Sequence, residues 1–121
     1  MFDLSDISYL ERIVIGSNVM MGSRIFISDH NHGTYRGEQQ SSPDEPPLLR
    51  PLGGGGPVTI GDNVWIGDNS VILGPASIGH GAIIGANSLV RGTVLPNTIV
   101  AGTPAKLIKI FNPQTSAWEK A

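Results

Sequence analysis

From Val58 onward the hydrophobic positions recur every six residues: I-G-D-N-V-W, I-G-D-N-S-V, I-L-G-P-A-S, I-G-H-G-A-I, I-G-A-N-S-L and V-R-G-T-V-L. Ile60, Ile66, Ile72, Ile78, Ile84 and Val90 lead these hexads, and all are aliphatic. Two positions earlier stands a small or β-branched residue: Val58, Val64, Ser70, Ala76, Ala82 and Ser88. A helix turning every 3.6 residues cannot keep such positions on one side, whereas a strand can, because residues two apart share a face. Each hexad therefore predicts a short strand plus a turn. Glycine and asparagine supply the turn through positive φ, as at Gly61 and Asn63 or Gly67 and Asn69. Equal short repeats of this kind predict an all-β solenoid with a narrow core.

The same register precedes an interruption. Ile15, Met21 and Ile27 lead, with Ile13, Val19 and Ile25 two positions before them. The step from Ile27 to Ile60 is 33 residues, which is not a multiple of six. Residues 28–57, rich in Pro, Gly, Ser and charge, are thus predicted to be an extruded loop, and a loop this long in a compact domain is usually functional or disordered. Its "GGGGP" at residues 53–57 predicts a poorly ordered return. The tail "NPQTSAWEKA" predicts one or two helical turns after Pro113, with Trp118 packing. Along one domain spanning 1–121, this gives a first coil at about 9–27, the loop at 28–57, main coils at 58–95 and a C-terminal extension at 96–121.

Composition narrows the function. Charged residues make up 15% and the net charge is −2, so no strong field favours nucleic acid or an anionic membrane. Sixteen glycines and nine prolines suit a fold with many turns. With no cysteine, disulfides, thiolate metal sites and acyl-cysteine intermediates are excluded. No stretch reaches the ~18 apolar residues of a bilayer span, and "MFDLSDISYLER" lacks the basic start and apolar run of a signal peptide. The expected setting is cytoplasmic, without membrane insertion.

Residues 58–108, with V-W-I-G and a closing V-A-G-T-P-A-K in order, resemble the hexapeptide-repeat acyltransferases, and residues 13–27 do so more weakly. The resemblance implies a left-handed parallel β-helix of about three to four coils, three hexads per coil, working as a homotrimer with acetyl-CoA as co-substrate. "DHNHG" followed by "RPL" most resembles the branch that O-acetylates sugars of cell-surface polysaccharide, as in lipopolysaccharide biosynthesis. With three hexads per coil, positions 18 apart stack. One face then shows Thr59 and Ser77 outward, the next Trp65 and Ile83, and the third Val71 and Leu89. Val14, Met20 and Phe26 point outward from the first coil. Two apolar ladders on adjacent faces fit burial by neighbouring subunits.

A flat solenoid wall has no pocket, so a reaction site needs the extruded loop. The resemblance places a catalytic histidine five positions after the leader, which is His32. A sugar hydroxyl is a poor nucleophile, and a neutral imidazole, titrating near neutrality, can take its proton, for roughly 10²–10⁴-fold in rate. A backbone N–H is expected to stabilise the oxyanion, for about 10²–10³-fold. The other ring nitrogen needs a partner, either a backbone carbonyl or the carboxylate of Asp29. His30 and Asn31 either orient acceptor hydroxyls or cap the turn. Trp65 either shapes the ligand channel, as the resemblance implies, or packs the trimer. The resemblance also implies that the pantetheine arm lies near Gly67, Asp68 and Ala86. Arg91, Lys106 and Lys109 are candidates for the cofactor phosphates.

Other readings remain. An amine acceptor would make the chain an N-acetyltransferase, and a degenerate chain would be inactive. A γ-type carbonic anhydrase needs three histidines; His80 follows Ile78 and Gly79, but Gly85 stands five positions on, so no metal is expected. An ice-binding wall needs an outward threonine ladder, and Thr59 alone fits.

Overall fold

The computed structural model describes residues 5–121. Residues 1–4, the first part of the N-terminal stretch read from the sequence, lie outside the described residues. The chain forms short strands β1 (Asp6–Ser8), β2 (Ile13–Ile15), β3 (Met20–Met21) and β4 (Phe26–Ser28), followed by an arm containing β5 (Asn31–His32) and β6 (Leu52–Gly53). The wall resumes with β7 (Val58–Ile60), β8 (Trp65–Ile66), β9 (Val71–Ile78), β10 (Ile83–Ile84) and β11 (Leu89–Val94). β12 (Thr98–Gly102), β13 (Ala105–Asn112) and β14 (Ala117–Lys120) close the chain.

These strands stack in parallel on three faces. The first face carries β2, β7 and the ends of β9 and β11; the second carries β3, β8, β10 and β12; the third carries β1, β4 and the starts of β9 and β11. Ile60 pairs with Ile78, 18 positions on, as three hexads per coil require. Ile15 pairs with Ile60, 45 positions on, and the extra 27 residues are the arm, which leaves the corner between the third and first faces without disturbing the stack. The last coil is two residues short: Val94 lies beside Ile78 and Val100 beside Ile84, each 16 apart, with a bulge between Val90 and Gly92.

The six leaders and six small partners after the arm are all buried, and before it Met21, Ile25 and Ile27 are buried while Ile13 and Val19 are half-buried. Their core is narrow and mostly aliphatic, and each fully buried Ile contributes about 1.5–3 kcal/mol of transfer free energy. The two polar members are satisfied: Ser70 and Ser88 both donate to the Gly85 carbonyl, at 3.0 and 2.6 Å. At the N-terminal end the stack is open, and Ile7 and Ile15 are each 37% exposed.

Glycine and asparagine divide the turn differently from the expectation. The positive φ falls on Asn63, Asn69, Asn87 and Asn97, at 58–60°. Gly61 and Gly67 are needed for close stacking instead. A Cβ there would lie 2.8 Å from the His80 nitrogen and 2.6 Å from that of Ala86. Asp62 and Asp68 stitch coils together, accepting the Ser17 and Ser23 N–H groups at 2.7 and 3.0 Å.

The tail is not helical. β13 runs back antiparallel on β12, and β14 pairs with β13, joined by a turn in which Asn112 accepts the Gln114 N–H. Asn-Pro followed by Ser116 at φ 55° favours a hairpin over a helix start. Trp118 packs edge-on against Phe111, with ring centroids 5.3 Å apart.

Candidate functional site

The arm begins with a buried carboxylate. Asp29, 3% exposed, follows the last inward residue of β4 and reaches down to the corner between β1 and β2. There it accepts the N–H groups of Leu10, Glu11 and Arg12 at 2.7, 2.7 and 2.6 Å. Its Oδ1 also lies 2.9 Å from His30 Nδ1. Burial raises the Asp29 carboxyl, but the His30 contact and the three backbone donors outweigh it and hold the group well below the usual carboxylate range.

That charge state fixes the imidazole. A carboxylate only accepts, so Nδ1 of His30 is the donor, and Nε2 of the neutral ring carries the lone pair. The His30 side chain keeps 16% exposure, and its backbone is locked by Ser28, whose hydroxyl donates to the His30 carbonyl at 3.0 Å. This is an oriented base with one nitrogen held and the other unengaged among the described residues.

His32, which the sequence favoured, sits differently. It is exposed on β5, opposite Leu52 of β6. Its carbonyl accepts the Tyr35 hydroxyl, and its ring has no hydrogen-bond partner among the described residues. Sequence reasoning also missed the brace of the arm. Arg50 donates to the carbonyls of Glu45 and Pro43 at 2.9 and 3.3 Å and to the Tyr35 hydroxyl at 3.0 Å. Gly33 N–H donates to the Pro51 carbonyl at 2.8 Å. The "RPL" that marks the resemblance is thus a strut of the arm. The glycine run is closely packed and not loose: a Cβ on Gly55 would collide with the Asp29 carbonyl, and one on Gly56 would lie 2.9 Å from Pro75.

The remaining candidates fall into separate places on one chain. Asn31 and Arg91 meet at the third–first corner, where they line a cavity of about 410 Å³. Gly67, Asp68 and Ala86 meet at the second–third corner, with Asn87 N–H donating to the Asp68 carbonyl at 2.9 Å. Lys106, opposite Ala101, stands at the C-terminal end of that corner, and Lys109 lies opposite Ile99 on the second face. Trp65 is 48% exposed in the middle of the second face, between Met20 and Ile83. In a triangular column that face lies opposite the corner bearing His30. Arg91 is therefore not brought to Lys106 and Lys109. His80 is exposed at a third corner, and no group of three His, Cys, Asp or Glu surrounds it among the described residues.

Three-hexad coils with an arm at one corner make this a left-handed β-helix, and the chain is similar to the hexapeptide-repeat acyltransferases built on that fold. Residues 57–92 match the family described as bacterial transferase hexapeptide (six repeats). The chain is 44% identical over 120 residues to WbbJ of Escherichia coli (strain K12), named for lipopolysaccharide biosynthesis O-acetyl transfer, covering 98% of this chain and 61% of WbbJ. It is 59% identical over 73 residues to 2,3,4,5-tetrahydropyridine-2,6-dicarboxylate N-acetyltransferase of Lacticaseibacillus casei (strain BL23), covering 60% of this chain and 29% of that one. Among solved structures, galactoside acetyltransferase in complex with coenzyme A superposes with a TM-score of 0.70 at 29% identity, over 89% of this chain and 50% of that one. The chain thus spans about three-fifths of WbbJ and less of the other two.

Proposed function

We propose that this chain carries out acetyl-CoA-dependent O-acetylation of a sugar hydroxyl in cell-surface polysaccharide synthesis, with His30 as general base. The observation that carries this reading is the Asp29–His30 contact at the root of the arm. His30 Nε2 takes the hydroxyl proton as the hydroxyl oxygen bonds to the thioester carbonyl carbon. The oxyanion formed is stabilised by a backbone N–H, for about 10²–10³-fold. As the carbon–sulfur bond breaks, the imidazolium returns its proton to the departing thiolate, so the ring ends as it began. Asp29 stays ionised throughout and steadies the imidazolium.

The co-substrate is assigned to the second–third corner, where Gly67, Asp68 and the exposed Ala86 meet and Lys106 supplies a cation. That corner and Trp65 are remote from His30 within one chain, and a neighbouring subunit would bring them together. The second face supports such an assembly, with Met20 51% and Trp65 48% exposed in one ladder with Ile83 and Ile99. The working form is accordingly a homotrimer in the cytoplasm, where acetyl-CoA is supplied. No helix among the described residues is long and apolar enough to cross a membrane.

Transfer to an amine is the second reading, favoured by the high local identity to an N-acetyltransferase. Incubation with acetyl-CoA and a panel of sugar and amine acceptors, read by mass spectrometry, separates the two. Acetyl esters, removed by mild base, support the proposal; amides support the second reading; no product from any acceptor marks the chain as inactive.

A further inference from the structure

We propose that the cavity between the arm and the wall is an anion-binding subsite for the acceptor, taking a saccharide that carries a carboxylate or phosphate. Calling the ligand the acceptor rests on the acyl-transfer reading, whereas the anion site stands on its own geometry. The cavity measures about 410 Å³ and brings together Arg36 from the arm and Arg91 from the wall, with Asn31 and Thr34 beside them. No Asp or Glu lines it. Neither guanidinium has an ion pair or hydrogen bond among the described residues, and neither do the Asn31 amide or the Thr34 hydroxyl. Arg50 in the same arm is the counter-example, because all three of its donor nitrogens are engaged in holding the loop. Two unengaged forks converging on one hollow, in a chain of net charge −2, are the donor arrangement that carboxylate and phosphate oxygens match.

The backbone is arranged to make this hollow. The bulge that shortens the last coil falls between Val90 and Gly92, at Arg91, and bulges re-aim the side chain they carry. Gly92 takes φ 72° there. The other side is Gly54 and Gly55, where the end of the arm can approach its beginning only because they lack a Cβ. One on Gly54 would lie 2.8 Å from the Gly33 carbonyl, and one on Gly55 would strike that of Asp29. The cavity wall therefore abuts the peptide that joins Asp29 to His30. Beyond Pro75 a second hollow of about 380 Å³ continues over the first face, lined by Thr59, Ser77 and Thr93.

The same charge chemistry suits the phosphates of coenzyme A, and the test separates these sources. Affinities of the intact protein for methyl β-glucuronide, methyl β-glucoside, inorganic phosphate and coenzyme A are measured by titration calorimetry, without turnover. The account expects the glucuronide to bind about ten-fold tighter than the glucoside and to compete with phosphate. Arg36→Gln and Arg91→Gln each remove about ten-fold of glucuronide affinity and leave coenzyme A affinity unchanged. Equal affinity for the two glycosides overturns the proposal. So does a loss of coenzyme A affinity in Arg91→Gln, which gives the site to the co-substrate. Glucuronide binding without acetyl transfer keeps the anion site and removes the acyl-transfer reading instead.

Discussion

In the wall, Ile66 lies between Met21 of the coil below and Ile84 of the coil above, and every face repeats that arrangement. In the arm, Arg50 is held by Glu45, Pro43 and Tyr35, and Asp29 by Leu10, Glu11, Arg12 and His30, and none of these contacts occurs twice. The wall is apolar, local to neighbouring coils and tolerant of any similar side chain. The arm is held by polar contacts, each between particular partners. Damage to the wall should thus cost stability in proportion to lost volume, while damage to the arm should cost order and chemistry.

The largest effect on stability belongs to the wall. Ile66→Ala leaves a cavity between two coils and is expected to cost about 2–5 kcal/mol, read as a lower urea midpoint. Next comes the carboxylate where arm and wall meet. Asp29→Ala takes the acceptor from three part-buried N–H groups, and a loss of about 2–4 kcal/mol is expected. Its pH dependence has a definite sign. The folded carboxyl is held below its ordinary 3.8, so its contribution is complete above about pH 4 and is lost as pH falls from there towards the folded value. Asp29→Asn should flatten that segment of the acid-unfolding curve, and an unchanged curve would remove Asp29 as the anchor.

A smaller effect tests whether the glycine run is packed or merely pliant. Gly55→Ala forces the Asp29 peptide to move and should cost about 1–3 kcal/mol. Gly53→Ala, where the added Cβ meets nothing nearer than Thr34 at 3.9 Å, should change stability by about 0.5 kcal/mol or less. Equal effects would mean that the run is loose. A change between these two is expected at a corner. Asn69→Ala loses the 2.7 Å bond to Asn87 and places alanine at φ 60°, for about 1–2 kcal/mol by thermal melting.

The same contrast explains what the sequence could reveal. Stacking imposes one demand per six residues, so Ile60 to Val90 announce themselves by period, and the outward ladders follow from the count. The shortened last coil was invisible because a two-residue deletion at Arg91 leaves the hydrophobic order intact. Within the arm, Asp29 pairs with His30 only because the corner at Leu10, Glu11 and Arg12 folds up beneath it, a contact between segments some 18 residues apart that no pattern marks. His32 was favoured by counting from the leader, and the arm's own hydrogen bonds orient His30. Gly53 to Gly56 looked like slack because glycine serves equally for freedom and for close approach, and only the neighbours tell which.

The central claim is that the imidazole oriented by Asp29 takes the acceptor proton. Its most direct test is kcat/KM for coenzyme A release by His30→Ala and His32→Ala, measured side by side with an acceptor that the parent chain acetylates. The account predicts a fall of about 10²–10⁴-fold for His30→Ala and a change of no more than a few-fold for His32→Ala. The reverse order would contradict it.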